Sequence, residues 1–307
     1  MSSVAPETFS VAVRGGNLEV GRWPGPPGSP TVIAVHGITA NHTSFDLVAR
    51  ELATEMTVVA PDLRGRGRSN TITGPFGITA HADDVATLLD HLQVDSATIL
   101  GHSMGAWVAT STAVRHRDRV RRLVLVDGGI ALPMTEGLDV DVVLQAVLGP
   151  SIARLSMTFA DAAAYRAFWQ EHPAVGGRYW SDLVQAYVDY DLEGSPPECR
   201  SSVSIDAVRG DATEQLTVPE VRDALEAITC PAHLLFAPRG LLDGDALYPP
   251  SSLEHLRARW PTVVEESVVP DTNHFTIVLG AGASAVAAAV RQAVSRDDQH
   301  QGDARGA

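Results

Sequence analysis

The chain has 307 residues, and 45% of them are hydrophobic, so it can bury one large core and still carry an insertion. Its formal net charge of −14 argues against nucleic acid and anionic membrane surfaces as partners, because both require basic patches. Two cysteines, Cys199 and Cys230, form neither a disulfide framework nor a spaced metal site. Residues 1–14 lack a basic segment followed by an apolar run, and residues 275–290 are too short and too rich in small residues to span a bilayer. We therefore expect a cytoplasmic protein without a membrane partner.

The first half of the chain alternates between predicted strands and predicted helices. Short apolar, β-branched runs predict strands at Thr31–Val35 and at residues 56–60, 97–100 and 123–126. Apolar residues at helical spacing predict helices over residues 45–52 and 85–92, the second with Thr79 as its N-cap. This alternation predicts an α/β fold with a mostly parallel sheet covered by helices on both faces.

The alternation stops between residues 130 and 228. Helices are predicted there at residues 138–148, 160–170 and 180–187, separated by prolines and glycines. A strand pattern resumes at Ala232–Phe236. We expect one core formed by residues 1–129 and 229–295, a helical insertion at 130–228, and a disordered polar tail at 296–307.

The sequence Gly101-His102-Ser103-Met104-Gly105 lies between the predicted strand 97–100 and a run without glycine or proline that predicts a helix. A serine between two glycines on a sharp strand-to-helix turn is typical of a nucleophile elbow. The glycines are needed because the turn is tight and a Cβ would clash with neighbouring chain. The turn also directs the backbone N–H of Met104 and the helix N-terminus towards whatever the serine attacks.

Three more segments have recognisable patterns in this order along the chain. They are His36-Gly37-Ile38 after the first predicted strand, the P-D-L-R-G-R-G-R-S sequence at residues 61–69, and Asp271-Thr272-Asn273-His274-Phe275 near the C-terminus. Together with the elbow, they resemble the α/β-hydrolase fold family, and Phe45 stands where many relatives have tryptophan. The resemblance implies the α/β-hydrolase fold, with residues 130–228 as a helical cap over the active site.

The resemblance implies a serine mechanism with Ser103 as nucleophile and His274 as base. A hydroxyl is a poor nucleophile at neutral pH and needs a base within hydrogen-bonding distance, and imidazole can take the proton and return it. The family pattern points to the backbone N–H groups of Ile38 and Met104 as the oxyanion hole. Neither a metal nor an organic cofactor is required for this chemistry.

The carboxylate that should orient His274 has three candidates. Asp243 is preferred because most relatives place this acid beyond the strand that follows the cap, and because Leu241-Leu242 could anchor it inward. Asp245 is the close alternative. Asp127 is the third, because some relatives supply the acid from the end of the strand 123–126, although it could simply brace the Gly128-Gly129 turn.

The predicted function is a cofactor-independent serine hydrolase that acts on a small-molecule substrate, a carboxylic ester of a small or medium apolar acid or alcohol. The same residues would serve a lactonase or a carbon–carbon bond hydrolase, and a ligand receptor on a hydrolase scaffold is the alternative from another class. His102, Trp169 and Trp180 are candidate substrate-binding residues, although the two tryptophans could equally belong to the core of the cap. The sequence specifies neither the physiological substrate nor the oligomeric state.

Residues 280–285 match the G-x-G-x-x-A pattern of dinucleotide-binding proteins. That fingerprint requires a βαβ unit with an acidic residue about twenty positions further on, and only one predicted helix and the polar tail follow here. We therefore expect a loop that leads into the last helix, and no bound dinucleotide.

Overall fold

The computed structural model describes residues 6–131, 139–249, 253, 260 and 262–305. Eight of its strands form one sheet, and two very short strands form a separate antiparallel ribbon. The sheet contains β1 (Glu7–Val13), β2 (Gly16–Trp23), β3 (Thr31–Val35), β4 (Thr57–Pro61), β5 (Ala97–His102), β6 (Val120–Val126), β9 (Ala232–Phe236) and β10 (Val263–Val268). The ribbon consists of β7 (Leu192–Glu193) and β8 (Arg200–Ser201).

The strand order of the large sheet is β1-β2-β4-β3-β5-β6-β9-β10. The six strands β4, β3, β5, β6, β9 and β10 run parallel to one another. Strands β1 and β2 form an antiparallel hairpin, and β2 pairs with β4 in antiparallel orientation. In the register of the parallel strands, Val126 lies opposite both His102 and Leu235, and Val35 lies opposite Gly101. The loops that follow β3, β5, β6 and β9 therefore meet at one edge of the sheet, where α/β proteins bind their ligands.

Helices cover both faces of the sheet. The core helices are α1 (Asp46–Leu52), α2 (Ile78–His91), α3 (Met104–Arg115), α11 (Thr276–Leu279) and α12 (Ala283–Arg305). Between β6 and β9 lie α4 (Val140–Leu148), α5 (Pro150–Ala153), α6 (Ala162–Gln170), α7 (Asp182–Asp191), α8 (Ile205–Thr217), α9 (Pro219–Arg222) and α10 (Ala224–Ala227). Single 3₁₀ turns occur at His42–Phe45, Gly67–Ser69, Arg117–Arg119, Arg154–Ser156 and Gly177–Tyr179. Within the described ranges, no helix is long and apolar enough to cross a membrane.

The central strands separate two hydrophobic clusters. Ile33 packs into the cluster beneath α2 and α3, whereas its neighbour Val32 packs into the cluster beneath α1 and α12. Successive side chains of a strand point to opposite faces, so a strand that is buried on both faces is apolar throughout. This explains the continuous apolar runs from which the strands were predicted. The α/β fold with a mostly parallel sheet is confirmed.

In the first 91 residues, the structure adds one element that was not predicted and corrects one predicted helix cap. The β1–β2 hairpin was not predicted, because its strands mix exposed polar and buried apolar residues in a short, glycine-rich segment. Helix α2 begins at Ile78 and is preceded by Gly77 rather than capped by Thr79. Thr79 lies inside the helix, and its hydroxyl donates a 2.6 Å hydrogen bond to Glu214 of α8. A partner 135 positions away thus determines the role of this threonine.

The predicted polar tail also differs from the structure. Helix α12 continues through Arg305, so most of residues 296–307 is helical. Arg296 forms a 2.6 Å ion pair with Glu265 on β10, which ties this part of the helix to the sheet. The sequence pattern missed the continuation because the helix loses its apolar face after Val294.

Candidate active site

Ser103 occupies a strained turn between β5 and α3. Its backbone torsions are φ 55° and ψ −125°, a conformation that costs a residue with a side chain about 1–3 kcal/mol. The turn brings the chain so close to its neighbours that a Cβ at Gly105 would lie 1.9 Å from the carbonyl oxygen of Val35. A Cβ at Gly101 would lie 2.4 Å from the carbonyl oxygen of Gly105. Both positions therefore require glycine, because any side chain would clash with neighbouring backbone, as the elbow motif predicts.

A chain of hydrogen bonds connects Ser103, His274 and Asp127. His274 Nε2 lies 3.0 Å from Ser103 Oγ, and His274 Nδ1 lies 2.7 Å from Asp127 Oδ2. Asp127 is fully buried at the end of β6, where its N–H donates to the carbonyl of Leu235 and its Oδ1 accepts from the N–H of Ala237. The carboxylate requires a proton on Nδ1, so Nε2 is left as the acceptor for the serine hydroxyl.

The preference for Asp243 as the partner of His274 is corrected by this geometry. Asp243 accepts hydrogen bonds from Arg239 Nε (2.8 Å), Asn273 Nδ2 (3.0 Å) and Tyr179 Oη (2.9 Å). Partial burial raises the pKa of Asp243, but these hydrogen bonds outweigh it and hold the pKa below its ordinary value. The loop after β9 is long enough to turn back on itself, with the Asp243 N–H bonded to the carbonyl of Gly240. Asp245 is exposed to solvent.

The loop that contains Ile38 is held in place by His36. This buried imidazole accepts a hydrogen bond from the N–H of Leu63 at Nε2 (2.9 Å) and donates from Nδ1 to the carbonyl of Gly37 (2.8 Å). Burial lowers the pKa of His36 to about 3, against the opposing charge of Asp62, so the ring stays neutral. Because the Gly37–Ile38 peptide is planar and trans, fixing its carbonyl directs the Ile38 N–H to the opposite side.

Two buried arginines bind the next two carbonyls of the same loop. Arg66 Nε donates to the carbonyl of Ile38 and Arg154 Nη2 to that of Thr39, both at 2.9 Å. Sequence reasoning did not single out either arginine.

Each of these arginines is paired with an aspartate from the helices between β6 and β9. Arg66 lies 2.6 Å from Asp211 of α8, and Arg154 lies 3.3 Å from Asp191 at the end of α7. All four side chains are buried. The partners are separated by tens to more than a hundred positions, so no local signal in the sequence could have paired them.

A cavity of about 410 Å³ opens beside Ser103 and His274. Its wall comes from the loop after β3, the start of α3, helix α4 and the segment after β9. The apolar residues among those lining it include Ile38, Met104, Trp107, Ile130, Val143, Leu144, Val147, Leu148, Leu216, Leu241 and Leu247. Both residues predicted for the oxyanion hole thus line the same cavity as Ser103. A site of this size and apolar character suits a small organic ligand.

Two of the three predicted substrate-binding residues lie elsewhere. Trp169 is 1% exposed and packs in a core with Tyr187 and the guanidinium of Arg154, so its assignment as a binding residue is corrected. Trp180 packs at the edge of the same core and is likewise not among the residues that line the cavity. Aromatic residues of a helical insertion are needed to form its own core, and the sequence cannot separate that role from binding.

The third residue, His102, does lie at the site. Its Nε2 donates a 2.8 Å hydrogen bond to the backbone carbonyl of His274, and the two rings lie 4.8 Å apart. It lines a second, smaller cavity of about 30 Å³ that Ser103 and His274 also line. Burial, followed by the charge of His274, lowers the pKa of His102 well below its ordinary value.

The G-x-G-x-x-A pattern at residues 280–285 is explained by the packing of two helices. Gly280 and Gly282 lie between α11 and α12, and a Cβ at Gly282 would lie 2.6 Å from the Cα of Ile277. The glycine therefore permits close contact between two helices, which accounts for its place in the motif. In the described part of the chain, no three His, Cys, Asp or Glu side chains are grouped as a metal site would require.

Comparisons with known proteins find hydrolases. "Lipase LipV" of Mycobacterium tuberculosis is 33% identical over 177 residues, which are 58% of this chain and 61% of that protein. "2-(Acetamidomethylene)succinate hydrolase" of Mesorhizobium japonicum is 28% identical over 253 residues, 80% of this chain and 82% of that protein. Three uncharacterized mycobacterial proteins are 36% identical over 126 residues, and the match spans only 36% of their length.

The fold is shared with solved structures and with a family defined by sequence. A crystal structure of E-2-(acetamidomethylene)succinate hydrolase superposes with a TM-score of 0.73 at 23% identity, over 94% of this chain and 100% of the other. Residues 30–281 match the family described as the alpha/beta hydrolase fold. That match covers all four sequence motifs and most of the chain, so the protein belongs to the α/β-hydrolase fold family.

Proposed function

We propose that the protein is a serine hydrolase that cleaves a carboxylic ester through a covalent acyl-enzyme, without a cofactor. The observation that carries this proposal is the hydrogen-bonded chain from Ser103 through His274 to the buried Asp127. Such a mechanism requires a nucleophile, a base and a carboxylate that orients the base. Here each of these groups is hydrogen-bonded to the next, and the carboxylate favours the His274 tautomer that can accept the serine proton.

In the first step, Ser103 Oγ attacks the ester carbonyl while its proton passes to His274 Nε2. The buried Asp127 carboxylate stabilises the imidazolium that forms. His274 then returns the proton to the leaving alcohol as the carbon–oxygen bond breaks, which leaves the acyl group on Ser103. In the second step, water attacks the acyl carbon while His274 Nε2 takes its proton. The bond between the acyl carbon and Ser103 Oγ then breaks, His274 returns the proton to Ser103 Oγ, and the acid is released.

The negative charge of each tetrahedral intermediate needs backbone donors. The N–H groups of Ile38 and Met104 are proposed for this role, because both residues line the cavity at Ser103 and the helix α3 begins there. The hydrogen bond between His36 and the Gly37 carbonyl supports the assignment of Ile38, since it orients that peptide before substrate arrives. A donor fixed in advance stabilises the oxyanion without reorganisation during the reaction.

The large cavity supports an apolar acyl or alkyl chain as one part of the ester. We propose that the helical segment 139–228 acts as the cap, since α4 supplies much of the cavity wall. Among the described residues that line the cavity, the one arginine, Arg222, donates hydrogen bonds to both carboxylate oxygens of Asp223. This arrangement favours an ester of an uncharged acid over a dicarboxylate like the succinate in the name of the Mesorhizobium relative. The name of the relative "Lipase LipV" is consistent with ester chemistry.

The test is labelling and turnover at Ser103. A fluorophosphonate should label wild-type protein at Ser103, and p-nitrophenyl esters of medium chain length should be hydrolysed over many turnovers. Ser103→Ala should lower kcat by about four to six orders of magnitude with the fold unchanged, whereas Ser295→Ala on the exposed face of α12 should have no effect. Release of a single equivalent of product would indicate a receptor, and an active Ser103→Ala variant would refute the mechanism.

A further inference from the structure

We propose that the small cavity next to Ser103 binds a short hydroxyl-bearing part of the substrate, such as a hydroxyethyl or hydroxyacetyl group. This inference rests on the proposed ester hydrolysis, and it specifies the second half of the ester. The large cavity receives the apolar half. The substrate class that follows is a mixed ester, apolar on one side of the reacting carbonyl and short and hydroxylated on the other.

The small cavity combines an apolar lining with unsatisfied polar atoms. Three of its lining residues, Ser44, Ser151 and His102, are buried, and each has one side-chain polar atom without a hydrogen-bond partner in the described structure. These atoms are Ser44 Oγ, Ser151 Oγ and His102 Nδ1. Buried polar atoms are normally hydrogen-bonded, so three unpartnered ones on residues that line the same cavity support a ligand that completes them.

The tautomer of His102 determines what the ligand must offer. Because Nε2 donates to the carbonyl of His274, the proton of the neutral ring is on Nε2, and Nδ1 can only accept. Its depressed pKa keeps the ring neutral at working pH. A methyl or a carbonyl group cannot satisfy this nitrogen, whereas an O–H group can. The serine hydroxyls can donate to or accept from the same group.

The size of the cavity limits the group it can take. A volume of about 30 Å³ is enough for about two water-sized centres. A chain of two or three non-hydrogen atoms that ends in a hydroxyl fits this space, and a longer alkyl chain does not. The large cavity has more than ten times this volume and an apolar wall.

The two cavities meet at the reacting groups. Ser103, His274, Ile38, Leu148 and Leu241 line both of them. An ester whose carbonyl carbon lies at Ser103 therefore has one cavity within reach for each of its two halves. Matched esters distinguish which half is the acid and which is the alcohol.

The experiment compares kcat/KM for two pairs of esters in which a hydroxyl replaces a methyl group. In the first pair, 2-hydroxyethyl octanoate is compared with propyl octanoate; in the second, octyl hydroxyacetate is compared with octyl propanoate. We expect one pair to show a preference of about tenfold or more for the hydroxyl ester, because a site built for a hydroxyl rejects its methyl analogue. Equal rates within both pairs would overturn the inference.

Variants then assign the preference to the small cavity. The double variant Ser44→Ala/Ser151→Ala should reduce the hydroxyl preference to about threefold or less, because kcat/KM for the hydroxyl ester falls towards that of its methyl analogue. Ser295→Ala should leave the preference unchanged. A preference that persists in the double variant would contradict the assignment. If no ester of either pair is hydrolysed and Ser103 is not labelled, the proposed function fails; if plain esters are hydrolysed without hydroxyl preference, only this inference fails.

Discussion

Asp127 and His274 are joined by a 2.7 Å hydrogen bond across 147 positions of the chain. The bond forms because β5, β6, β9 and β10 lie in this order in the sheet, so the turn after β6 is next to the serine elbow on one side and, across β9, near the loop after β10 that contains His274. Asp127 adopts a positive φ of 46°, a conformation that aspartate tolerates better than most residues with a side chain. The adjoining Gly128 gives the turn room, since a Cβ there would lie 2.2 Å from the carbonyl of Ser103.

This arrangement predicts opposite results for two conservative substitutions. Asp127→Asn should lower kcat by about 10⁴, because the amide keeps the shape but favours the wrong tautomer of His274. Asp243→Asn should stay within about tenfold of wild type, because Asp243 contacts Arg239, Asn273 and Tyr179 instead of His274. The measurement is kcat on a p-nitrophenyl ester for both variants, with circular dichroism to check folding. A collapse in Asp243→Asn alongside an active Asp127→Asn would restore Asp243 as the acid.

The difference between Asp243 and Asp127 shows where sequence reasoning ends for this protein. The serine elbow and the His274 loop carry local patterns, because the turn itself demands particular residues at fixed spacing. The carboxylate that bonds to His274 has no such pattern, since an aspartate that follows any neighbouring strand could occupy this place. The roles of Trp169 and of the Arg154–Asp191 pair could not be predicted for the same reason. Whether a side chain lines a cavity or forms part of a core depends on contacts between distant segments of the chain. The parallel core, by contrast, was predictable from apolar runs alone.

The contact between His36 and the Gly37 carbonyl predicts an effect on kcat more than on KM. His36→Phe removes the Nδ1 donor that orients the Gly37–Ile38 peptide. Loss of one oxyanion donor typically costs about 10²–10³ in kcat, and we expect a loss of about 10² with KM changed less than about threefold. Affinity for a trifluoromethyl ketone, which forms a tetrahedral adduct with serine, should fall in parallel. His91→Gln, at an exposed position of α2, is the control. A change confined to KM would contradict a role for His36 in positioning the oxyanion loop.

The buried Arg154–Asp191 pair predicts a large loss of stability when only one partner is removed. Arg154→Met should lower the free energy of unfolding by about 3–5 kcal/mol, because it leaves the Asp191 carboxylate uncompensated in the interior. Adding Asp191→Asn should cost much less than in the wild-type background, and denaturant titration of the four proteins gives the coupling. Arg115→Met, which breaks the exposed Arg115–Asp83 pair, should change stability by no more than about 1 kcal/mol. Strict additivity of the two buried substitutions would refute the coupling.

Substitutions at Trp169 and Val143 should have different effects, the first on stability and the second on the preferred chain length of the ester. Trp169→Ala should lower the free energy of unfolding by about 3–5 kcal/mol and leave the ranking of p-nitrophenyl ester chain lengths unchanged, because Trp169 packs in the core of the helical segment. Val143→Trp should shift the preference to shorter chains, since Val143 lies in the wall of the large cavity. The measurement is kcat/KM across a series of chain lengths, with thermal unfolding of each variant. A changed ranking in Trp169→Ala would return this residue to the binding site.

Because three buried histidines have lowered pKa values, we expect the free energy of unfolding to fall as the pH decreases. Burial lowers the pKa of His36 to about 3 and that of His172 to about 4, and it lowers the pKa of His102 well below its ordinary value of 6.5. Between about pH 6 and pH 4 the unfolded chain therefore binds protons that the native protein does not. The free energy of unfolding should fall with decreasing pH by about 1.4 kcal/mol per pH unit for each such histidine.

A comparison with His172→Phe isolates the contribution of one histidine. The ring of His172 packs between Trp169 and Phe275, at 5.4 Å from each, so phenylalanine can occupy its place without titrating. Asp84, whose pKa burial raises, contributes a slope of the opposite sign, but it is present in both proteins and cancels in the difference. We expect urea titrations between pH 6 and pH 4.5 to give a slope that is smaller in the variant by about one proton, or about 1.4 kcal/mol per pH unit. Identical slopes in the two proteins would mean that His172 does not stay neutral in the folded chain.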